Sequence, residues 1–322
     1  MSQATLPAHF NKARYFAWND WVKTAYGGRV QKVSLDAGFS CPNRDGSLGR
    51  GGCTFCNNRA FTPSYLAEAP SLSAQLETGI AFLRRRYPRT SRYLAYFQSY
   101  SNTYAPLDVL RERYEAALAH PQVAGLVIGT RPDCLPDAVL DYLAELSQHC
   151  IVELEIGIES CDDDVLVRCE RGHDFACSED AIRRAAARGL QVTGHLLLGL
   201  PGETRDTVRA GAERLAALPL AALKFHQLQI VRNTKLAVQW KRAPGSIALP
   251  GPDEYLDWVV DTLERLPTSV RVQRLGSEVP PSQRFLPNDE DWSVRASDYQ
   301  SMLAQRLRER DTWQGRLTRA AG

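Results

Sequence analysis

Short apolar runs and longer amphipathic stretches alternate along the chain from about residue 30 to residue 235. The runs Val30–Leu35, Tyr93–Phe97, Gly125–Ile128, Ile151–Ile158, Val192–Leu198 and Leu223–Ile230 are nearly continuous in apolar character, as strands covered on both faces require. Each of the last five follows a stretch with helical spacing: Leu72–Arg86, Leu107–Ala119, Asp137–Leu146, Glu179–Arg188 and Thr204–Leu218. Strand, helix and strand in that rhythm predict parallel strands joined by crossover helices. Six such strands point to an α/β barrel or partial barrel, although a doubly wound sheet has the same local signature. Past Thr234 the rhythm weakens. Turns at Ala243-Pro244-Gly245 and Leu249-Pro250-Gly251-Pro252 lead to a predicted helix at Asp253–Leu266, a strand-like piece near Val270–Arg274 and a charged helix at Asp298–Arg310. The chain divides accordingly into an N-terminal helical segment (residues 1–28), a barrel core (29–235) and a C-terminal extension (236–322) that is expected to cover the barrel.

Composition narrows the class without naming a function. Among 322 residues, 44% are hydrophobic and 24% charged, and the formal net charge is +2. That balance is ordinary for a globular protein and too weak to argue for nucleic-acid or membrane binding. No apolar run reaches the roughly 18 residues of a membrane helix, and the first residues lack the apolar stretch and cleavage site of a signal peptide. A cytoplasmic setting is the expectation. There thiols stay reduced, so eight cysteines suggest metal ligation or buried packing rather than disulfides.

Three of those cysteines crowd one segment, CPNRDGSLGRGGCTFC, directly after the first predicted strand. Cys41, Cys53 and Cys56 offer three soft ligands on a turn-rich loop, which suits an iron–sulfur cluster or zinc. Pro42, Asn43, Asp45 and four glycines favour a loop that wraps a ligand over a regular element. Three thiolates on a four-iron cluster would leave one iron open, as a reactive centre needs, whereas a structural zinc site is closed by a fourth ligand. Cys134, Cys150, Cys161, Cys169 and Cys177 have no close metal spacing and read as packing thiols.

Taken together, these residues resemble the radical S-adenosylmethionine (radical SAM) superfamily. Within it they resemble the class related to the Elongator catalytic subunit and the short bacterial YhcC-type proteins. The segment VSLDAGFSCPNRDGSLGRGGCTFCN carries the likeness, with a longer first cysteine gap than the commoner superfamily spacing. AYFQSYSNTYAP, LVIGTRPDCLP, VELEIGIESCDDDVL, ERGH, GHLLLGLPGET and LKFHQLQIVRNT follow in the expected order, so the match runs from about Tyr15 to Gly315. The resemblance implies a partial (β/α)6 TIM-like barrel, a 4Fe-4S cluster on Cys41, Cys53 and Cys56, and S-adenosyl-L-methionine as the second cofactor. It further implies reductive cleavage to a 5′-deoxyadenosyl radical that abstracts hydrogen from a substrate, fed by a one-electron reductant such as flavodoxin or ferredoxin. Two places depart from the pattern. Gln98, Ser101 and Asn102 stand where relatives often carry a glycine-rich turn that meets the methionine amino group, so their side chains are expected to take over some of its contacts. Glu159, near the expected cofactor ribose, stands where relatives often have glutamine.

In a parallel barrel the carboxyl ends of the strands converge on one face. Gln98, Thr130, Arg131, Glu159, His195, Gly199 and His226 all fall at or near such ends. Phe55 is expected to shield the cluster and lie near adenine, though loop packing would also explain it. Arg171 suits a bidentate grip on a carboxylate; a solvated helix-end arginine is the plainer reading. Arg131 is a candidate for a cofactor or substrate contact, although with Asp133 it could be a simple ion pair. Glu159 is costly to bury unpaired on an apolar strand, which favours a polar contact. Gly199, in Gly199-Leu200-Pro201-Gly202, is expected to let the backbone approach adenine, although a helix-entry turn explains it equally well. His195 and His226, with Lys224 in phase, are candidates for the substrate side; a histidine among apolar neighbours is otherwise a satisfied core residue. The run Arg84-Arg85-Arg86 near Arg89 and Arg92 suggests either RNA or a solvated helix end whose arginines complement the backbone dipole. The substrate itself, a small molecule or a tRNA, stays open. So do two readings without turnover: a zinc-stabilised binding protein and a redox-sensing iron–sulfur protein.

Overall fold

The structure is a computed structural model that describes residues 6–90, 92–286, 294–295 and 297–318. Parts of the expected N-terminal segment (1–5) and C-terminal extension (287–293, 296 and 319–322) lie outside the described residues. Nine strands occur among them: β1 (Val30–Leu35), β2 (Arg92–Phe97), β3 (Val123–Thr130), β4 (Ile151–Glu159), β5 (Gln191–Leu198), β6 (Ala222–Gln227), β7 (Ile230–Val231), β8 (Arg271–Arg274) and β9 (Arg284–Leu286). The helices are α1 (Trp18–Ala25), α2 (Pro42–Asp45), α3 (Leu72–Arg86), α4 (Leu107–Leu118), α5 (Asp137–Ser147), α6 (Asp163–Arg168), α7 (Phe175–Ala187), α8 (Arg205–Ala216), α9 (Lys235–Arg242), α10 (Pro252–Arg265) and α11 (Tyr299–Glu309).

β1 to β6 form a parallel sheet in sequence order, and β8 adds a seventh strand beside β6. The sheet is the half-barrel expected from the apolar runs, one strand wider. Its inner and outer faces are both covered, so β2 buries Tyr93, Leu94, Ala95 and Phe97 completely. Truncating such a residue, or Ile156 on β4, would cost about 2–5 kcal/mol. Beyond β8 the sheet is met by the N-terminal segment. Ala17 bridges Val272, and Val272 N–H donates to the Phe16 carbonyl at 2.8 Å. The fully buried Gln314 ties that segment to the C-terminal end, accepting from Phe16 N–H and donating to the Pro267 and Val270 carbonyls. An exposed row of strand donors is thereby blunted.

Caps explain where elements begin. Asp174 accepts from Cys177 N–H at 2.9 Å, so α7 starts at Phe175 and not at Glu179, where the apolar spacing first becomes regular. Thr204 and Thr207 form a reciprocal capping box that opens α8. The run Leu223–Ile230, expected as one strand, splits into β6 and β7. Leu228 N–H turns to the Leu198 carbonyl, and the amides of Gln227 and Gln229 both donate to Ser277. β7 then pairs antiparallel with β9. The loop after β1 also contains one helical turn, α2, where none was expected. Pro42 sits at its first position, where a missing N–H costs nothing.

Candidate functional site

A cavity of about 270 Å³ opens at the carboxyl ends of the strands. Cys41, Cys53 and Cys56 all line it, together with Phe55, Gln98, Thr130, Arg131, Glu159, Arg171, His195 and His226. The strands place these side chains because each chain segment leaves the sheet at the same end, so residues distant in sequence meet there.

The cysteine loop is held from within and behind. Gly52 N–H donates to the Asn43 carbonyl at 2.8 Å, and Thr54 N–H to the Cys169 carbonyl at 3.0 Å. Leu236 N–H, in the first turn of α9, donates to the Thr54 carbonyl at 3.0 Å. Gly49 is required by close approach, since a Cβ there would meet Asn43 Oδ1 at 2.3 Å. Gly51 and Gly52 both have positive φ, +85° and +84°, which favours glycine. Asn43 Nδ2 reaches the Glu170 carbonyl at 2.6 Å and Cys53 Sγ at 3.3 Å. Arg171 Nη1 stands 3.5 Å from the same sulfur. An amide donor and a guanidinium thus both face the Cys53 sulfur. Burial raises the Cys41 thiol and pushes Cys56 up to about 12, so a cation that took those sulfurs would offset a desolvation cost.

Two arginines flank the thiols. Arg131 makes a bidentate pair with Asp133 at 2.8 and 2.7 Å, as the plain ion-pair reading anticipated, and its Nη2 also donates to the Arg171 carbonyl. Arg171 Nη2 donates to the Gly157 carbonyl at 2.7 Å and faces Glu159 Oε1 at 3.7 Å. Arg171 is thus buried and no solvated helix end. Arg131 Nη1 and Arg171 Nε are buried with no hydrogen-bond partner; two unmet donors beside the cysteines suit an anionic ligand. Glu159 ends β4 with φ +67° after a register shift. That bulge turns its carboxylate to Arg171, answering the expectation of a polar contact.

Not every expected residue reaches the cavity wall. Ser101 and Asn102 are fully buried. Asn102 Nδ2 donates to the Phe97 and Gly129 carbonyls, and Ser101 Oγ pairs with Thr130 Oγ1 at 2.9 Å; both tie the end of β2 to the end of β3. Gly199, with φ +94°, packs against Pro250 and donates its N–H to Glu203 at 2.8 Å. Lys224 lies beneath the cavity, its Nζ 2.5 Å from Glu155. The arginines before β2 lie at the amino end of the sheet, with Arg84 donating to Gln122 and Arg86 over the Tyr87 ring. They stand at the other end of the barrel from the thiols.

Sequence reasoning passed over Asn43, Lys32, Glu153, Glu155, Glu203 and Arg274. Glu153 and Glu155 carried a signal: they share the strand parity of Glu159, and the cost of burying a carboxylate applied to them as well. Glu203 is half-buried behind Glu159, accepting from Gly199 N–H and Ser160 Oγ (2.9 Å). Burial pushes it up to about 7.

No three His, Cys, Asp or Glu side chains among the described residues are gathered into a group that could hold one metal ion. Nor is any helix among them long and apolar enough to cross a membrane.

Known proteins share this arrangement. A family model described as the Radical SAM superfamily matches residues 46–215, and one described as the Radical_SAM C-terminal domain matches residues 220–309. The Bacillus subtilis protein YtqA is 33% identical over 98% of this chain and 97% of its own length. YhcC of Escherichia coli is 43% identical over 67% of this chain and 69% of its own. A tRNA uridine(34) acetyltransferase of Methanocaldococcus infernus is 24% identical over 54% of this chain, which spans 34% of that protein. The solved structure of Methanocaldococcus infernus Elp3 superposes with a TM-score of 0.64 at 15% identity, covering 88% of this chain and 64% of that one. That last likeness supports the half-barrel fold.

Proposed function

Because the chain belongs to the radical SAM superfamily and is an enzyme of that type, we propose that Cys41, Cys53 and Cys56 hold its 4Fe-4S cluster and that the adjoining cavity takes S-adenosyl-L-methionine. One observation carries the proposal: three free thiols line a single cavity beside two arginines whose buried N–H groups lack partners. The donor set fits the group. Thiolates are the ligands of iron–sulfur clusters, and a four-iron cluster binds its three thiolates on different corners. They need only surround a common space.

When bound, the cluster and S-adenosyl-L-methionine supply an electron to the sulfonium and a 5′-deoxyadenosyl radical able to take a hydrogen atom from a substrate. The chain's residues bind and orient. Asn43 and Arg171 direct donors at Cys53 Sγ. Arg131 and Arg171 each present an unmet N–H group to a carboxylate. Glu159 offers an acceptor for hydroxyl groups. Phe55 packs against the apolar cluster of Val165, Leu200 and Leu228, and keeps water from that side of the cavity.

Such enzymes need a one-electron reductant; a flavodoxin or ferredoxin in a cytoplasmic setting meets that need. The name of the Methanocaldococcus infernus acetyltransferase makes a tRNA a candidate substrate. If so, the RNA meets the cavity mouth, because the arginine run before β2 lies at the opposite end of the barrel.

Anaerobic reconstitution of the full chain should load about four irons. Dithionite and S-adenosyl-L-methionine should then release 5′-deoxyadenosine and methionine. A colourless protein that retains zinc, or a fully loaded one releasing no 5′-deoxyadenosine, would overturn the proposal.

A further inference from the structure

The wall of the cavity supplied by the later strands carries charge that cofactor binding does not use. His195 on β5 lies opposite Lys224 on β6, and Lys224 opposite Arg274 on β8, so the three share one face of the sheet. His226 follows two residues after Lys224 on that face. Beneath them Glu155 accepts from Lys32 at 2.8 Å, His195 at 2.8 Å and Lys224 at 2.5 Å. Glu153 takes the second contact of Lys32 at 2.7 Å. The two carboxylates are therefore taken by Lys32 and Lys224, and neither is left for Arg274.

Arg274 is the basic group of this wall that remains unpaired among the described residues. Its side chain lines the cavity and has no hydrogen-bond or ion-pair partner among the described residues. The neighbouring Arg271, by contrast, is spent on the Ala221 carbonyl and Gln191. Close by, His226 Nε2 is buried without a partner. Burial and then the Arg274 charge hold the His226 imidazole well below its usual range, so it is a neutral ring with one free nitrogen. The chain after Arg274 is rigid: Gln227 and Gln229 donate to the Ser277 carbonyl and accept from Ser277 and Val279 N–H. A lone guanidinium beside a partnerless imidazole, on a pinned strand end facing a cavity, is suited to bidentate capture of an oxyanion. Cofactor carboxylates have their own donors in Arg131 and Arg171 beside Cys53.

We propose that Arg274 and His226 anchor an anionic group, a carboxylate or a phosphate, on the substrate, which rests on the cofactor assignment above only for which molecule is substrate. The reacting carbon is then held between this anchor and the thiol end of the cavity.

Calorimetry on the anaerobically reconstituted full chain, with S-adenosyl-L-methionine saturating, tests this with two probes at constant ionic strength: inorganic phosphate and acetate. At least one should bind saturably, one per chain. Arg274→Gln should weaken it about tenfold or more, as loss of a charged hydrogen bond implies, and His226→Phe should weaken it less. Phosphate binding without acetate binding identifies a phosphate-bearing substrate, and acetate binding a carboxylate-bearing one. Neither probe saturating by about 50 mM, a range that would still capture a weak single-group contact, overturns the proposal. So does Arg274→Gln binding as tightly as the natural protein; being exposed and partnerless, Arg274 can be replaced without unfolding the chain. Iron content, and the change in the reduced cluster's electron paramagnetic resonance on adding S-adenosyl-L-methionine, are read on the same samples. They keep a failure of cofactor binding apart from a failure of the anion anchor.

Discussion

The two ends of the cavity are built in opposite ways. At the thiol end the ligating atoms sit on an irregular loop, braced by backbone hydrogen bonds to α9 and to the Cys169 segment, and several donors there are unmet. At the other end the polar groups stand on neighbouring strands, and Glu155 is already saturated by three cationic or imidazole partners. One end awaits something; the other is largely complete, with Arg274 and His226 as its open positions. A loop can wrap a ligand larger than any side chain, whereas a strand sets each side chain to a fixed face and spacing.

The difference predicts opposite sensitivities. The largest effect should come from Cys53→Ala. Iron should fall from about four to below one per chain, and 5′-deoxyadenosine release should drop at least about a thousandfold. The metal-free variant should stay within about 1–2 kcal/mol of the natural protein in urea unfolding. Full iron occupancy in this variant would break the comparison at its first end.

Glu155→Gln should do the reverse. It leaves the buried Lys32 and Lys224 without their shared countercharge, which costs about 3–5 kcal/mol, read as a lower urea midpoint. Iron uptake at low temperature should persist. An unchanged midpoint would mean that the strand-borne charges are not mutually dependent.

Glu203 sharpens the comparison by pH. Its folded value, about 7, lies above the ordinary 4.5, so the folded chain binds a proton there that the unfolded chain has released. The stabilisation is full below about pH 4.5 and is lost as pH rises through about 7. Glu203→Gln should flatten that part of the stability profile by up to a few kcal/mol. Identical slopes for the two proteins between pH 4.5 and 7 would show that Gly199 N–H and Ser160 Oγ compensate the burial fully.

Much of this was legible along the chain. The six apolar runs became β1 to β6, the last of them continuing into β7, because a strand covered on both faces is largely apolar. The crowding of Cys41, Cys53 and Cys56 was equally plain, since thiols in a reduced, turn-rich loop have few other uses. Less visible were Ser101 and Asn102, whose placement at a strand end looked like ligand contact. Their side chains instead satisfy one another's strand termini, a partnership between β2 and β3 that local sequence does not display. Glu153 and Glu155 could have been read by the burial argument already applied to Glu159, but their partners Lys32, His195 and Lys224 come from three other strands.

Local chemistry, then, is settled residue by residue: which segments are strands, where thiols cluster, and which glycines permit a tight loop. Convergence is settled only by folding. The seventh strand, the Arg171 contact with Cys53, and the lysine–glutamate pairing that leaves Arg274 unpaired all depend on residues separated by scores of positions. Such contacts depend on the register of neighbouring strands and on which charges burial leaves unpaired, and neither is a property of any stretch of chain taken alone.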